Sequence, residues 1–330
     1  MSKKVATIGG DGVGPELVKC MLDVVDATSV NIEFIQIEAG ATWWKKHGGT
    51  SLIPNESWEV LNEADACFKS PTTTPGGIGS PKSVAVSIRQ RFNLYANVRP
   101  IKTFPNTNPP LGDVDFVCVR EGTEGLYAGK EMQLNDNMHI ALRLITRDAC
   151  NRVARYAFEE ADRRCWKTVV AIHKSNILKQ TCGAFLEEVN NVSVEYPGIE
   201  VWEYHIDNIA QQLIKNPQIF NQSILLSTNL FMDVISEECS GLVGSIGLIY
   251  SSNIGDNYAM FEPAHGSAPK YAGMDKVNPV ATILAGALML DILVKRASRK
   301  HFSLLLIRVI AERRLVALTY DLEGSAKSVK

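Results

Sequence analysis

Short β-branched runs alternate with amphipathic stretches along most of the chain, and no other feature constrains the fold as much. Val5–Ile8, Ile32–Glu38, Ala66–Phe68, Phe116–Arg120, Thr168–His173, Val201–Tyr204 and Ser223–Thr228 read as strands. Pro15–Ala27, Asn55–Glu63, Arg147–Arg163, Leu178–Val189, Asn208–Lys215, Leu230–Leu242 and Val280–Val294 read as helices. Alternation of this kind predicts an α/β fold with a largely parallel sheet covered on both faces. Residues 71–82 and 105–113 hold Pro, Gly, Ser or Asn at many positions and predict loops. Asn135-Asp136-Asn137, inside the weakly alternating stretch Tyr127–Arg143, predicts a hairpin.

Composition narrows the class of function. A length of 330 residues suggests two domains, and 45% apolar with 21% charged residues excludes a disordered or low-complexity chain. Lys plus Arg (34) against Asp plus Glu (36) gives a net charge of −2, which argues against nucleic acid as a partner. Seven cysteines without a C-x-x-C pair predict free thiols in a reducing compartment. No apolar signal core follows Lys3-Lys4, and the longest apolar run, Val280–Leu290, is too short for a membrane span. A cytoplasmic protein without a membrane partner is expected.

Several segments carry chemistry, each with a plainer reading beside it. Gly9-Gly10-Asp11-Gly12-Val13-Gly14-Pro15-Glu16 lacks the G-x-G-x-x-G spacing and reads better as a tight strand-to-helix turn than as a dinucleotide fingerprint. Arg89, Arg99 and Arg120 lie near apolar strands, where they suit either a polycarboxylate or structural ion pairs. Asp233 and Glu237 share one helix face, with Asp207 closing a strand upstream; they suit Mg²⁺ or Mn²⁺, or are solvated acids. Lys174 follows a strand end, where sites gather, yet a surface lysine at a helix start is equally readable there. Phe261–Gly273 is a small-residue loop that allows close backbone approach to a ligand, and Lys270 could hold a phosphate.

Taken in order, Gly9–Glu16, Arg89–Pro100, Arg120–Gly129, His173–Lys179, Asp207–Pro217, Asn229–Ser240 and Phe261–Pro279 resemble the β-decarboxylating dehydrogenases, the isocitrate, homoisocitrate and 3-isopropylmalate enzymes. The resemblance implies two α/β domains that are not Rossmann folds, with the active cleft between them. Residues 1–94 and 246–330 would form a large cofactor-side domain and 95–245 a small one, with a clasp at about 128–146 in a homodimer interface. It implies that Ser83, Arg89, Arg99, Arg120 and Asn176 bind a 2-hydroxy polycarboxylate, and that Asp207, Asp233 and Glu237 hold Mg²⁺ or Mn²⁺. Lys174 with Asp207 would take the substrate hydroxyl proton, and Tyr127 would protonate the enol left after loss of CO₂. Lys174 and Asp207 would reach the cleft from the neighbouring subunit. Thr74, Glu262, His265, Gly266, Ser267, Ala268, Lys270, Tyr271, Asn278 and Tyr320 would meet the cofactor.

Within the family the chain is most similar to the NADP-using isocitrate branch. The carriers are Thr72-Thr73-Thr74-Pro75 before Ser83 and the Lys270-Tyr271 pair with Tyr320. NAD, with homoisocitrate or isopropylmalate as substrate, is the alternative. Departures from the pattern are Ala85 for a usual Asn, Glu237 for Asp, Met232 for Gly and Gly324 for Arg. Ser80 is a rival to Ser83, and a short carboxyl end implies a missing terminal helix. These departures keep a non-catalytic regulatory paralogue in view, although every arginine and proton-transfer position is present.

Overall fold

The computed structural model describes residues 2–294 apart from positions 29, 78, 106 and 108. The first part of the chain forms β1 (Lys3–Ile8), α1 (Gly14–Asp26), β2 (Ile32–Ile37), α2 (Ala41–His47), α3 (Asn55–Glu63), β3 (Ala66–Lys69) and α4 (Val84–Arg91). Then follow β4 (Ala96–Lys102), β5 (Asp115–Glu121), β6 (Glu131–Asn135), β7 (Met138–Ala141), α5 (Arg147–Arg163), β8 (Thr168–His173) and α6 (Thr181–Ser193). The last part holds β9 (Glu200–His205), α7 (Ile206–Lys215), β10 (Ser223–Ser227), α8 (Asn229–Leu242), β11 (Tyr250–Ile254), β12 (Ala259–Pro263) and α9 (Val280–Val294).

Ten strands make one sheet in the order β2-β1-β3-β12-β11-β4-β5-β10-β8-β9. The expected parallel character holds at both ends but not in the middle. β4 and β5 pair antiparallel, and β11 is antiparallel to both β4 and β12. The connections explain this. β11 turns into β12 through a hairpin closed by Gly255 N–H to Tyr258 O at 3.0 Å, and β4 returns as β5 through a loop with no helix. Antiparallel neighbours need only such loops, whereas parallel ones need a crossover. The two outer blocks of parallel strands therefore point in opposite directions.

Helices cover both faces. One core joins β5, β8 and β10 to α7, α8 and the start of α9, and a second packs α5 and α6 on the other face. Two further cores draw on residues up to 94 and from 250 onward. α9 is buried through most of its length, as its continuous apolar run predicts. It lies so close to α1 that a Cβ at Gly286 would come within 2.7 Å of Met21 Cγ. Among the described residues no helix is long and apolar enough to cross a membrane.

The predicted hairpin forms as β6–β7 and stands apart from the main sheet. Its residues are exposed with one exception, and Met132, Leu134 and Met138 are each about half exposed (49%, 52% and 51%). Among the described residues no two cysteines are joined in a disulfide.

Candidate active site

A buried polar row crosses the middle of the sheet. Register pairs Asn97 of β4 with Arg120 of β5 on one side and with Asn253 of β11 on the other, so the three side chains share a face. Arg99 lies two residues on from Asn97 and points the same way. Lys69 ends β3, Glu262 sits on β12, and Arg89 comes down from the last turn of α4. Lys69, Arg89, Asn97, Arg99, Arg120, Asn253 and Glu262 are all buried.

The row is closely paired. Glu262 takes Lys69 Nζ at 2.8 Å and Arg89 Nη2 at 3.0 Å. Asn253 Oδ1 accepts from Arg89 Nε at 2.7 Å and Asn97 Nδ2 at 2.9 Å, while its Nδ2 donates to Glu262 at 2.8 Å. Burial would raise the Glu262 carboxyl, but Lys69 and Arg89 outweigh it and hold the group well below the usual carboxylate range. Arg99 Nη1 donates to Glu237 at 2.6 Å and to Ser236 at 3.0 Å. Arg120 donates to Asn229 Oδ1 through Nε (2.9 Å) and Nη2 (2.7 Å), and through Nη1 to Asp233. Burial, with Arg89 and Arg99 nearby, lowers the Arg120 guanidinium to about 10, so it stays charged at neutral pH.

Tyr127 lies in a short 3₁₀ turn, Leu126–Ala128. Its hydroxyl donates to Asp233 Oδ2 at 2.5 Å, and the Arg120 guanidinium sits 4.8 Å from its ring centroid. Burial, then the bond to Asp233, raises the phenol above its ordinary value. Four cations (Lys69, Arg89, Arg99, Arg120) meet three carboxylates (Asp233, Glu237, Glu262), a surplus of one positive charge. Guanidinium forks in such a cluster stay charged and match the geometry of an incoming carboxylate.

Lys174 and Asp207 lie elsewhere on the same edge. Lys174 Nζ meets Asp207 Oδ1 at 2.6 Å, and the Asp207 side chain is 68% exposed. The Lys174 ammonium lowers the Asp207 carboxyl. Both follow strand ends, β8 and β9, in the sheet order β5-β10-β8-β9. Two or three strand steps of about 4.8 Å separate them from β5. Among the described residues no three acidic, histidine or cysteine side chains gather as one metal group. Asp207 thus stands apart from Asp233 and Glu237 within a single chain. Asn176 is exposed in the turn after Lys174.

Ser83 caps α4, its Oγ accepting the Val86 N–H at 3.2 Å. Its rival Ser80 instead donates to Gly76 O at 2.8 Å. The α4 cap leaves the Ser83 O–H free to donate, at a helix head with no acid in its first turn. Ala85 sits in the first turn of the same helix.

The glycine turn after β1 and the loop after β12 are locked together. Val13 N–H donates to Ser267 O at 3.0 Å, and Ser267 Oγ meets Thr73 Oγ1 at 2.7 Å. Gly12 has φ +59°, and a Cβ there would fall 2.0 Å from Ser267 O, so only glycine fits. Buried Asp11 takes the backbone N–H groups of Ala41 (3.0 Å), Thr42 (2.7 Å) and Thr73 (2.7 Å). Thr74 and Gly266 are exposed beside this loop, His265 is buried, and Ala268 is half-buried in the left-handed region at φ +36°. Lys270 Nζ lies 4.8 Å over the Tyr271 ring, and both are exposed. Asn278 is buried at the head of α9, where its Oδ1 accepts the Val280 N–H at 3.0 Å. Tyr320 and Gly324 lie outside the described residues.

The chain matches the family model for isocitrate/isopropylmalate dehydrogenase over residues 4–330. It belongs to the isocitrate/isopropylmalate dehydrogenase family. This is a family of metal-dependent, NAD(P)-linked β-decarboxylating dehydrogenases. The 3-isopropylmalate dehydrogenase of Methanothermobacter thermautotrophicus is 40% identical over 324 residues, covering 98% of this chain and 94% of the relative. The NADP isocitrate dehydrogenase of Thermus thermophilus is 38% identical over 330 residues, and the match spans 65% of that longer protein. The crystal structure of isocitrate dehydrogenase from Methylococcus capsulatus superposes with a TM-score of 0.93 at 38% identity, covering 99% of this chain and 96% of that one. The expected family and fold class therefore hold.

Sequence reading missed Asn97, Asn229 and Asn253, which accept hydrogen bonds from Arg99, Arg120 and Arg89, and Lys69, which pairs with Glu262. For Lys69 and Asn97 the available signal was a polar residue in a mostly apolar strand, but the neighbouring strand has to be known before it can be read; Asn229 and Asn253 carried no such signal.

Proposed function

We propose that the protein catalyses oxidative decarboxylation of isocitrate to 2-oxoglutarate with reduction of NADP. The observation that carries this reading is the buried arginine cluster with its surplus positive charge, with Ser83 capping the head of the helix that carries Arg89. Arg89, Arg99 and Arg120 take substrate carboxylates, and the Ser83 hydroxyl suits an anionic third substituent better than an isopropyl group. Asn176 supplies a polar contact from the Lys174 loop.

The donor set fits Mg²⁺ or Mn²⁺. Asp233 and Glu237 project from α8 into the arginine cluster, and carboxylate oxygens are what such hard cations take. Asp207 completes the set from the partner subunit. The cation, when bound, polarises the substrate oxygens as a Lewis acid. Lys174, as the neutral amine left once its ammonium has passed a proton through Asp207 to solvent, accepts the substrate hydroxyl proton while hydride leaves the carbon bearing that hydroxyl for the nicotinamide. After CO₂ departs, Tyr127 Oη donates a proton to the enol carbon.

The cofactor lies along the loop from Glu262 through His265, Gly266, Ser267 and Ala268, with Thr74 and Asn278 at its margins. Lys270 and Tyr271, with Tyr320, meet the 2′-phosphate. A cation beside that phosphate contributes about 1.5–3 kcal/mol, so Lys270→Glu is expected to lower kcat/KM for NADP relative to NAD by roughly tenfold or more. Parallel steady-state assays with both cofactors check this, and an unchanged ratio would remove Lys270 from the phosphate site.

A twofold homodimer supplies the missing arms. A two-stranded hairpin is marginal alone in water, and β6–β7 carries exposed Met132, Leu134 and Met138, which supports a clasp covered by a second copy. Two cores join residues up to 94 with residues from 250 onward and a third packs α5 and α6 in the middle, which supports a large domain of 1–94 and 246–330 and a small one of 95–245, while α9 also enters the core that holds α7 and α8. Seven cysteines with no disulfide among the described residues support a reducing, cytoplasmic setting.

The deciding experiment offers isocitrate, homoisocitrate and 3-isopropylmalate with NADP or NAD, each with Mn²⁺ or excess chelator. Turnover is expected to be highest with isocitrate and NADP, and to vanish in chelator and return with metal. Activity that survives chelation overturns the carboxylate assignment. Folded protein inert with every substrate would instead identify a regulatory paralogue.

A further inference from the structure

Arg143 lies two residues past β7, and among the described residues its guanidinium forms no ion pair. Neutral groups hold it instead. Nη1 donates to Thr181 Oγ1 at 2.7 Å and to Cys182 Sγ at 3.4 Å, and Nη2 donates to Thr228 Oγ1 at 2.9 Å. The Phe231 ring packs against the fork with its centroid 4.9 Å away.

These partners belong to two different parts of the site. Thr181 and Cys182 open α6, directly after the loop that starts at Lys174, and Cys182 Sγ also accepts the backbone N–H of Lys174 at 3.4 Å. Thr228 precedes Asn229, whose Oδ1 holds Arg120. One planar fork therefore joins the head of α6 to the head of α8. The α8 end is the fixed one, since Thr228 and Asn229 are 3% and 1% exposed. The loop is the exposed end, with Asn176, Ile177, Lys179 and Gln180 open to solvent.

We propose that Arg143 is a positioning residue for Lys174, fixing the base-bearing loop against the head of α8. This rests on Lys174 acting as the base in the partner's cleft. A guanidinium spans both threonines, whereas a lysine ammonium is a single point on a flexible stem and cannot. Misplacing a reacting group by about 1 Å costs on the order of a hundredfold in rate.

Arg143→Met and Arg143→Lys are expected to lower kcat by roughly thirtyfold to a hundredfold, with substrate KM within about threefold of the parent. Retained charge should recover little. Mixed dimers locate the effect. Paired with Tyr127→Phe chains, the Arg143→Met chain works in a cleft whose Lys174 comes from its partner, so activity should match that of a Lys174→Met with Tyr127→Phe mixture. Paired with Lys174→Met chains, the usable cleft relies on the Arg143→Met chain's own Lys174 and should stay impaired. Equal activity in the two mixtures, or full activity of Arg143→Met homodimers, overturns the proposal. A dead Lys174→Met with Tyr127→Phe control removes the shared site alone. The kcat loss at unchanged KM and melting temperature in Arg143→Met homodimers then decides the positioning role.

Discussion

Lys174→Met chains mixed with Tyr127→Phe chains, dissociated and reassembled, are expected to recover about a quarter of wild-type turnover, although each parent alone is nearly inactive. Lys174 and Asp207 pair on the far side of β10 from Arg120, with Asp207 largely exposed. A single chain therefore holds the proposed carboxylate clamp, Tyr127 and two proposed metal arms without the proposed base. A twofold interface exchanges the same residues in both directions. Random pairing makes roughly half the dimers mixed, and each mixed dimer has one intact cleft and one doubly damaged cleft. Recovery near zero, with mixed dimers confirmed by mass, would show that each site is built within one chain.

The same two variants separate the chemical steps. Lys174→Met removes the proposed acceptor for the hydroxyl proton, so oxidation is expected to stop. Tyr127→Phe keeps the ring under Arg120 but removes the proposed proton donor, so enol protonation should suffer more than oxidation. Reduction of a supplied 2-oxo intermediate bypasses the enol and should survive better in the tyrosine variant. Equal losses in the two assays would make Tyr127 a packing residue.

The sequence made the outer parts of this fold legible and hid the middle. Asn55–Glu63, Arg147–Arg163 and Thr168–His173 appear with the bounds expected of them, because one apolar face against one polar face gives a clear period. β4, β11 and β12 escaped notice. β4 carries Asn97, Arg99 and Pro100, β11 carries Ser251, Ser252 and Asn253, and β12 ends in Glu262-Pro263. Polar residues interrupt their buried faces, so neither a clean alternation nor a long apolar run announces a strand. Pro100 is tolerated because the β4–β11 ladder stops at Val98. The residues that disguise these strands are those that build the site. Resemblance could place Arg89, Arg99 and Arg120, but only the strand order brings Asn253 between Arg89 and Glu262. Only the resemblance groups Asp207 with Asp233, because the fold of one chain leaves them apart.

Glu262→Gln is expected to cost about 3–5 kcal/mol at neutral pH, since it leaves the buried Lys69 and Arg89 charges without their counter-ion. The amide keeps the size of the side chain and can still hydrogen-bond, so the loss isolates the charge. Linkage gives the cost a pH signature. The Glu262 carboxyl is depressed in the folded chain and titrates near about 4.3 when unfolded. A depressed carboxylate contributes stability that is fully present above the unfolded value and is lost as pH falls through the folded one. Between pH 8 and 6 the difference between parent and variant should stay flat; below about pH 4.3 it should narrow steadily as the unfolded chain takes up the proton first. Urea unfolding of both proteins across this range measures it. A gap that widens on acidification, or a variant as stable as the parent at pH 7, would mean that Lys69 and Arg89 do not depend on Glu262. Arg89 should also lose its fixed direction, because Glu262 and Asn253 together orient its fork, and substrate KM should rise even where the variant is fully folded.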